Sequence, residues 1–126
     1  MHEMAFIVDI VDTVCESAKK AEATAVKQIT LSIGEMRDFH QDYIEAYFEH
    51  FSRDTLAQGA EIVVNFIPAT TRCPDCGTIV PVDLSVLHDQ PQCPFHPEAL
   101  MELVTGMELS VDSIAITKVP NQAKDA

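Results

Sequence analysis

Apolar residues near the start of the chain recur at the spacing of an α-helix. Most of them stand three or four positions apart, and charged residues lie between them. The apolar positions are Met4, Ile7, Val8, Val11, Val14, Cys15 and Ala18. Residues at this spacing share one helix face, so the pattern predicts a first helix over about residues 4 to 20. Cys15 lies on the apolar stripe and is therefore predicted to be a small buried hydrophobic residue rather than a ligand.

Two stretches alternate between apolar and polar positions, which is the period of a β-strand. Ile29, Leu31 and Ile33 share one face of the first, which ends at Gly34. The second contains Ile62, Val64 and Phe66. It is predicted to end at Pro68, because proline cannot donate to a strand ladder.

Helical spacing returns between these strands. Ile44, Tyr47, Phe48 and Phe51 lie three and four positions apart, and Gly59 follows. The pattern predicts a second helix over about residues 42 to 57, with Asp42 in its first turn and Gly59 beyond its end.

A last strand is predicted near the carboxyl end of the chain. Leu109 and Val111 share one parity, whereas Ile114 and Ile116 share the other. A strand whose buried face changes parity needs one extra residue, so a bulge is predicted near residues 112 and 113. Residues 119 to 126 have no periodicity and are predicted to form a flexible tail.

Two short cysteine motifs lie between the second and last predicted strands. Cys73 and Cys76 form a C-x-x-C pair, and sixteen residues later Cys93 and His96 form a C-x-x-H pair. Two such pairs at this separation can surround one metal ion with a tetrahedron. The site is predicted to hold a structural zinc, with iron as a less favoured occupant, and His88 is a possible additional ligand.

The order of the elements predicts an α/β fold: a small mixed β-sheet packed with two helices, plus a projecting zinc-ribbon-like insert. The predicted α/β domain comprises residues 1–68 and 106–118, and the zinc-binding domain comprises residues 69–105. Within the insert, residues 78 to 83 are predicted to make a short edge strand, since Pro81 cannot pair on both sides.

The charge of the chain excludes one class of function. The sequence has 20 acidic and 8 basic residues, a formal charge of −12. Binding to nucleic acid depends on lysine and arginine neutralising phosphates, so no nucleic-acid partner is expected. An acidic surface suits a basic protein partner or cations, or serves only to keep the protein soluble.

The same composition indicates where the protein acts. No apolar run approaches the roughly 18 residues of a membrane helix, so no membrane segment is expected. The first residues do not resemble a signal peptide, and cysteines arranged for metal rather than for disulfides fit a reducing compartment. A cytoplasmic location is expected.

The first three residues, Met1, His2 and Glu3, form a possible chelate of their own. The terminal amine, the deprotonated amide of His2 and its imidazole can bind one ion through two small rings. Nitrogen donors in a plane suit Ni(II) or Cu(II), whereas zinc prefers a tetrahedron. Glu3 can add a carboxylate or amide donor.

Several segments together resemble the HypA/HybF nickel metallochaperones. They are the opening Met1 to Met4, the stretch from Leu31 to Glu35, the segment from Gly59 to Ile62, the two cysteine motifs, and the closing Glu108-Leu109 and Ser113-Ile114. The resemblance extends from Met1 to about Ile116. The combination of an MHE start with the two motifs is specific, whereas neither feature alone would be.

The resemblance implies a function for both metal sites. Nickel is expected on Met1, His2 and Glu3, and a structural zinc on a separate domain. Members of this family deliver nickel during maturation of [NiFe]-hydrogenase, and some also serve urease. The implied partners are the hydrogenase large-subunit precursor and a maturation GTPase, so the protein is expected to be a metallochaperone acting in protein maturation.

One residue departs from the family pattern. The family usually closes its second cysteine motif with Cys, whereas His96 stands at that position here. Zinc accepts a set of three cysteines and one histidine, so the departure leaves the predicted structural role intact. Any pH response of the family's zinc site, however, does not transfer automatically to this chain.

Two other functions are compatible with parts of the sequence. A zinc-ribbon adaptor for protein interaction would have the metal motif but no stoichiometric nickel site. A zinc hydrolase would need a bound water at zinc, which four protein ligands exclude. No pair of nucleophile and base and no phosphate-binding glycine loop is apparent, so the protein is not expected to be an enzyme.

Overall fold

The computed structural model describes residues 2–86 and 88–119. Most of the tail predicted at 119–126 therefore lies outside the described residues, as does Met1. The helices are α1 (His2–Lys20) and α2 (Gln41–Phe51), with a 3-10 turn at Glu35–Arg37. The strands are β1 (Ala25–Gly34), β2 (Glu61–Ile67), β3 (Thr70–Arg72), β4 (Ile79–Pro81), β5 (Glu102–Thr105) and β6 (Leu109–Thr117).

The chain divides into two compact units. Unit 1 comprises Met1–Leu31, Phe39–Val64 and Val111–Ala126, and unit 2 comprises Ser32–Asp38 and Asn65–Ser110. Both helices belong to unit 1, whereas both cysteine motifs belong to unit 2. Unit 2 thus includes a short segment after Leu31 that sequence periodicity does not separate from β1.

Helix α1 supplies much of the apolar core of unit 1. It packs against α2, and its inward stripe is buried at Ile7, Ile10, Val11, Val14 and Ala18, as are Ile44 and Phe48 of α2. The helix begins at His2, two residues earlier than periodicity predicted, so Glu3 lies in its first turn. Cys15 is only half-buried, because it lies at the margin of the stripe rather than at its centre.

Helix α2 ends at Phe51, earlier than the predicted residue 57. Beyond the capping residue Ser52, the hydroxyl of Thr55 donates to the Ser52 carbonyl at 2.6 Å. Asp54 adopts a φ of 63°, which is outside the helical range. A side-chain bond of this kind offers the backbone an alternative to the helix. The spacing of apolar residues gives no sign of such a bond.

The first sheet has β1 between β2 and β6. Ile29, Leu31 and Ile33 of β1 are fully buried, as the alternation predicted. In β6 the consecutive residues Asp112 and Ser113 are both exposed, and the half-buried positions change parity across them. The parity change is therefore present, and the bulge at this point stays a prediction.

The second sheet lies within unit 2 and has β3 between β4 and β5, both antiparallel to it. Strand β4 contains Pro81 and lies at an edge, as predicted for the short strand of the insert. Strands β3 and β5 were not predicted, because three or four residues are too few to show a period.

Two helices combined with small sheets confirm the predicted α/β fold class. Neither helix of the described chain combines the length and apolar content that a membrane span requires.

A close approach between backbone segments explains one glycine in unit 2. A Cβ atom on Gly34 would lie 2.0 Å from the carbonyl carbon and oxygen of Gly106. The Gly34 N–H donates to the Glu108 carbonyl, and the Met36 N–H donates to the Gly106 carbonyl, both at 2.8 Å. Gly34 has an ordinary φ of −69°, so space rather than backbone conformation requires glycine there.

We expect Gly34→Ala to lower the free energy of unfolding by at least about 1–3 kcal/mol, because the methyl group displaces packed backbone. Gly59→Ala is a matched control: Gly59 has a φ of 80° and open space around its Cβ position. It should cost about 1 kcal/mol through backbone strain alone. Urea unfolding followed by circular dichroism measures both, and equal losses would contradict the steric explanation.

Candidate metal centre

The first cysteine motif is a tight turn that follows strand β3. Cys73 comes directly after Arg72, and its N–H donates to the Thr78 carbonyl at 2.9 Å. The Gly77 N–H donates back to the Cys73 carbonyl at 2.8 Å. Gly77 has a φ of 79°, a conformation that glycine adopts without steric cost. The turn thereby brings Cys73 and Cys76 to the same side of the backbone.

The second motif is a similar short turn. The His96 N–H donates to the Cys93 carbonyl at 3.3 Å, and the Ala99 N–H donates to the His96 carbonyl at 3.0 Å. Cys93 is fully buried, whereas His96 is half-buried. These bonds hold the imidazole beside the Cys93 thiol.

The four side chains converge on one point. Their ligand atoms all lie within 4.8 Å of one another. The Sγ atoms of Cys76 and Cys93 are 3.5 Å apart, and Nδ1 of His96 lies 3.8 Å from Sγ of Cys73 and 3.9 Å from Sγ of Cys93. Zinc–sulfur bonds of about 2.3 Å and a zinc–nitrogen bond near 2.0 Å give tetrahedron edges of about 3.5–3.8 Å. The observed spacing therefore fits one tetrahedral ion.

The donor set also indicates which kind of ion fits. Three thiols and one imidazole are ligands that zinc accepts in closed structural sites. The sulfur separation of 3.5 Å is far longer than the roughly 2.0 Å of a disulfide bond. Among the described residues, the group that could hold a metal contains His96 and does not contain His88. His96 is therefore the fourth member of the cluster.

Hydrogen bonds and burial shift the pKa values of the three thiols in different directions. Burial raises the pKa of Cys73, against the effect of the Asp75 and Cys76 backbone. A hydrogen bond from the Thr78 hydroxyl, 3.0 Å from the sulfur, is the main cause that lowers the pKa of Cys76 to about 6. For Cys93, burial opposes ionisation, but the bonds from His96 and the Phe95 backbone outweigh it and lower the pKa.

The imidazole of His96 responds to the same neighbours. Its pKa is raised, chiefly by the Cys93 thiol and then by Cys76. Without an ion the cluster thus favours ion pairs between thiolate and imidazolium. A metal cation replaces the proton on each of these groups.

Thr78 was not singled out from the sequence. It stands two residues after Cys76, directly behind Gly77, and its hydroxyl contacts the most exposed thiol of the cluster. Groups that hydrogen-bond a ligand orient it and adjust its charge. Each of the two cysteine motifs, with its turn, is here called a knuckle. A hydroxyl residue immediately after the glycine of the first knuckle is the only sequence signal that could have identified Thr78.

The predicted nickel residues lie at the start of α1. Met1 lies outside the described residues, whereas Glu3 is only 7% exposed. Its Oε2 accepts the N–H of His40 at 3.3 Å. Burial raises the pKa of Glu3, but this bond and other contacts outweigh it, so that the pKa is lowered and the carboxylate is favoured. The residue therefore joins the beginning of α1 to the residue that precedes α2.

Three further histidines, His40, His50 and His88, are separate from the metal cluster. His40 is the residue before α2 and makes no capping bond through its side chain, which lies edge-on to Tyr43 at 5.6 Å between ring centroids. His50 is exposed on α2 beside Phe51. His88 has a φ of 59° in the loop between the two cysteine motifs.

The pKa difference between the thiols predicts an order of reaction while the metal is being removed and unit 2 still holds its fold. At neutral pH Cys76, with a pKa of about 6, is mainly thiolate and exposed, whereas Cys73 is mainly thiol and buried. We expect iodoacetamide that is present during slow chelation to modify Cys76 well before Cys73. Peptide mass spectrometry measures the order, and Thr78→Val should slow the reaction at Cys76. Simultaneous modification of both would contradict this prediction.

Comparison with known proteins identifies relatives over nearly the whole chain. A family model described as "Hydrogenase/urease nickel incorporation, metallochaperone, hypA" matches residues 1–116. The hydrogenase maturation factor HypA of Chlorobaculum parvum is 32% identical over 116 residues, covering 92% of this chain and 99% of the relative. HypA of Geobacter metallireducens is 34% identical with the same coverage.

Two solved structures have folds similar to that of this chain. The solution structure of the Ni metallochaperone HypA from Helicobacter pylori covers 93% of this chain and 98% of its own, with 20% identity and a TM-score of 0.60. A second solution structure of a HypA protein covers 94% and 98%, with 19% identity and a TM-score of 0.71. By the extent of the family match and the identity of its relatives, the chain belongs to the HypA family of hydrogenase and urease nickel-incorporation metallochaperones.

Proposed function

We propose that this chain carries Ni(II) as cargo at its amino terminus, delivers it during [NiFe]-hydrogenase maturation, and holds a structural zinc in unit 2. The observation that carries the proposal is the match of the nickel-incorporation family over residues 1–116. The matched range includes the Met1-His2-Glu3 opening and both cysteine motifs.

The proposed nickel donors are the Met1 amine, the amide and imidazole nitrogens of His2, and Glu3. Such a set of nitrogen donors suits square-planar Ni(II). The start of α1 supports the use of an amide nitrogen. The first N–H groups of a helix have no intrahelical acceptor, so a metal bound by the His2 amide breaks no helical hydrogen bond.

Glu3 supports the proposal in a second way. Its carboxylate is held beside His40 by a bond of 3.3 Å, which orients the first turn of α1. A bond that already fixes the backbone next to the metal donors lowers the entropy cost of ordering those donors when the metal binds. Glu3 is thus proposed both as a donor and as the residue that positions the chelate.

For the zinc site, the proposed ligands are Cys73, Cys76, Cys93 and Nδ1 of His96. When bound, the ion supplies a cross-link between the two knuckles and leaves no open position for a water. The donors are therefore structural, and a role as an enzyme is not proposed. The family relationship supports hydrogenase maturation proteins as partners, with a maturation GTPase and the large-subunit precursor proposed among them, in the cytoplasm.

The second candidate function is a zinc-ribbon adaptor without a nickel role. Exposed apolar side chains of unit 2, among them Phe95 and Leu100, favour it as an accompanying activity. An adaptor, however, needs no chelate at the chain terminus. A stoichiometric nickel site that depends on His2 separates the two functions.

Replacing His2 by Ala should weaken nickel binding at least about tenfold, because the chelate loses its imidazole. His50→Ala is the matched control, since His50 is an exposed histidine far along α2. Isothermal titration of zinc-loaded protein with nickel measures both affinities. One extra residue before Met1 should weaken binding as well, because it moves the amine away from His2. Unchanged affinity in the His2 variant would reject the proposed site.

Replacing Cys73 by Ser should release the zinc and unfold unit 2, because metal binding supplies most of the free energy that folds a small zinc module. Helical circular dichroism should persist, since both helices belong to unit 1. Cys15→Ser is the matched control, as Cys15 is a free thiol outside the cluster. Full zinc content in the Cys73 variant would show that another residue completes the site.

A further inference from the structure

Unit 2 carries most of the exposed apolar surface of the described chain. Ten of the thirteen large hydrophobic residues that are exposed belong to it, including Phe95 at 74%, Leu100 at 88% and Leu103 at 46%. Single exposed hydrophobic residues are ordinary, but a concentration of them in one small unit marks an interaction surface. The question is therefore what covers this surface.

Part of the surface is shaped as a groove. It has a volume of about 460 Å³ and is lined by Met36, Val82, Leu100, Met101 and Leu103, with Thr71 of the central strand β3. All of these residues belong to unit 2. One wall, residues 97–101, follows His96 directly, and the Ala99 N–H donates to the His96 carbonyl. The groove is thus built on the second knuckle, and its volume lies within the roughly 300–1,000 Å³ of specific binding pockets.

The charges of the groove restrict the occupant. Its lining includes Asp89 and the exposed Glu98, and the described lining contains no lysine or arginine. Unit 2 as a whole has eight acidic residues against Arg37 and Arg72, a difference of six negative charges. A second copy of this acidic chain would meet like charge, as would a nucleic acid or an anionic membrane.

We propose that this groove is a docking site for a basic amphipathic segment of a partner protein. Apolar side chains of the segment would enter between Leu100 and Leu103, and its lysines or arginines would pair with Glu98 and Asp89. Methionine suits such a surface, because its flexible side chain adapts to different apolar partners. The inference is independent of nickel, since none of its residues belongs to the amino-terminal chelate.

Strand β5 provides a matched pair for the test. Leu103 and Val104 are neighbours, and successive residues of a strand point to opposite faces. Leu103 lines the groove and Val104 does not. Their exposures are nearly equal, at 46% and 51%. For charge, Glu98 lines the groove, whereas the exposed Glu102 does not.

The probe is a labelled peptide of about 15 residues, made of leucine and lysine with leucines at i, i+3, i+4 and i+7. Its twin has glutamate at every lysine position. Fluorescence anisotropy with zinc-loaded full-length protein should show binding of the lysine peptide and at least about tenfold weaker binding of the glutamate twin. Leu103→Ser should weaken binding by a similar factor, whereas Val104→Ser should not. Glu98→Gln should weaken it more than Glu102→Gln.

The proposal is overturned if the two serine variants bind the lysine peptide equally, or if the glutamate twin binds as tightly. Sedimentation of the protein alone tests the other occupant: a dimer that dissociates in Leu103→Ser would assign the groove to a second copy and reject the proposal. Zinc content and nickel affinity, measured on the same variants, should remain unchanged. A loss of nickel binding in the His2 variant with peptide binding retained would separate the two functions.

Discussion

The convergence of three thiols and one imidazole is the constraint on which unit 2 depends. The described buried hydrophobic residues of this unit are Ile33, Ala69, Cys73 and Cys93. Two of the four are members of the cluster itself. So small an apolar core cannot offset the conformational entropy of ordering some fifty residues. In the proposed zinc-bound state, metal binding supplies much of the energy that orders the two knuckles, the sheet beside them and the groove wall after His96.

Unit 1 is stabilised in a different way. Its core contains the long apolar stripe of α1, two residues of α2 and the buried face of β1. This difference explains why sequence periodicity was informative for unit 1 and weak for unit 2. A stripe such as Ile7 to Ala18 is visible because burial on one face repeats over about three turns. Strands of three or four residues, such as β3 and β5, have no repeat to observe, although β3 ends directly before Cys73.

The convergence of the four side chains of the cluster could be predicted, because their spacing is a property of the sequence, whereas their role as zinc ligands stays a prediction. The contacts that adjust the cluster could not be predicted. Thr78 reaches Cys76 only because Gly77 turns the backbone through a positive φ, and the bond between Glu3 and His40 joins residues thirty-seven positions apart. The predicted end of α2 was wrong for a related reason. Hydrogen bonds of Ser52 and Thr55, rather than the spacing of apolar residues, determine where the helix ends.

The two knuckles also place the proposed metal as a cross-link within unit 2. Cys73 and His96 are separated by twenty-three positions, so one ion bridging them closes a loop of that length, as a disulfide would. Closing a loop of this size costs chain entropy worth about 3 kcal/mol, which the binding energy of the ion would offset as unit 2 folds. A metal cross-link, however, is opened by chelators or by oxidation of a ligand thiol and is not cleaved by reductants. With the proposed zinc bound, unit 2 would therefore hold a cross-link that survives in a reducing solution, and the exposed Cys76 would be the point where an oxidant reaches it first.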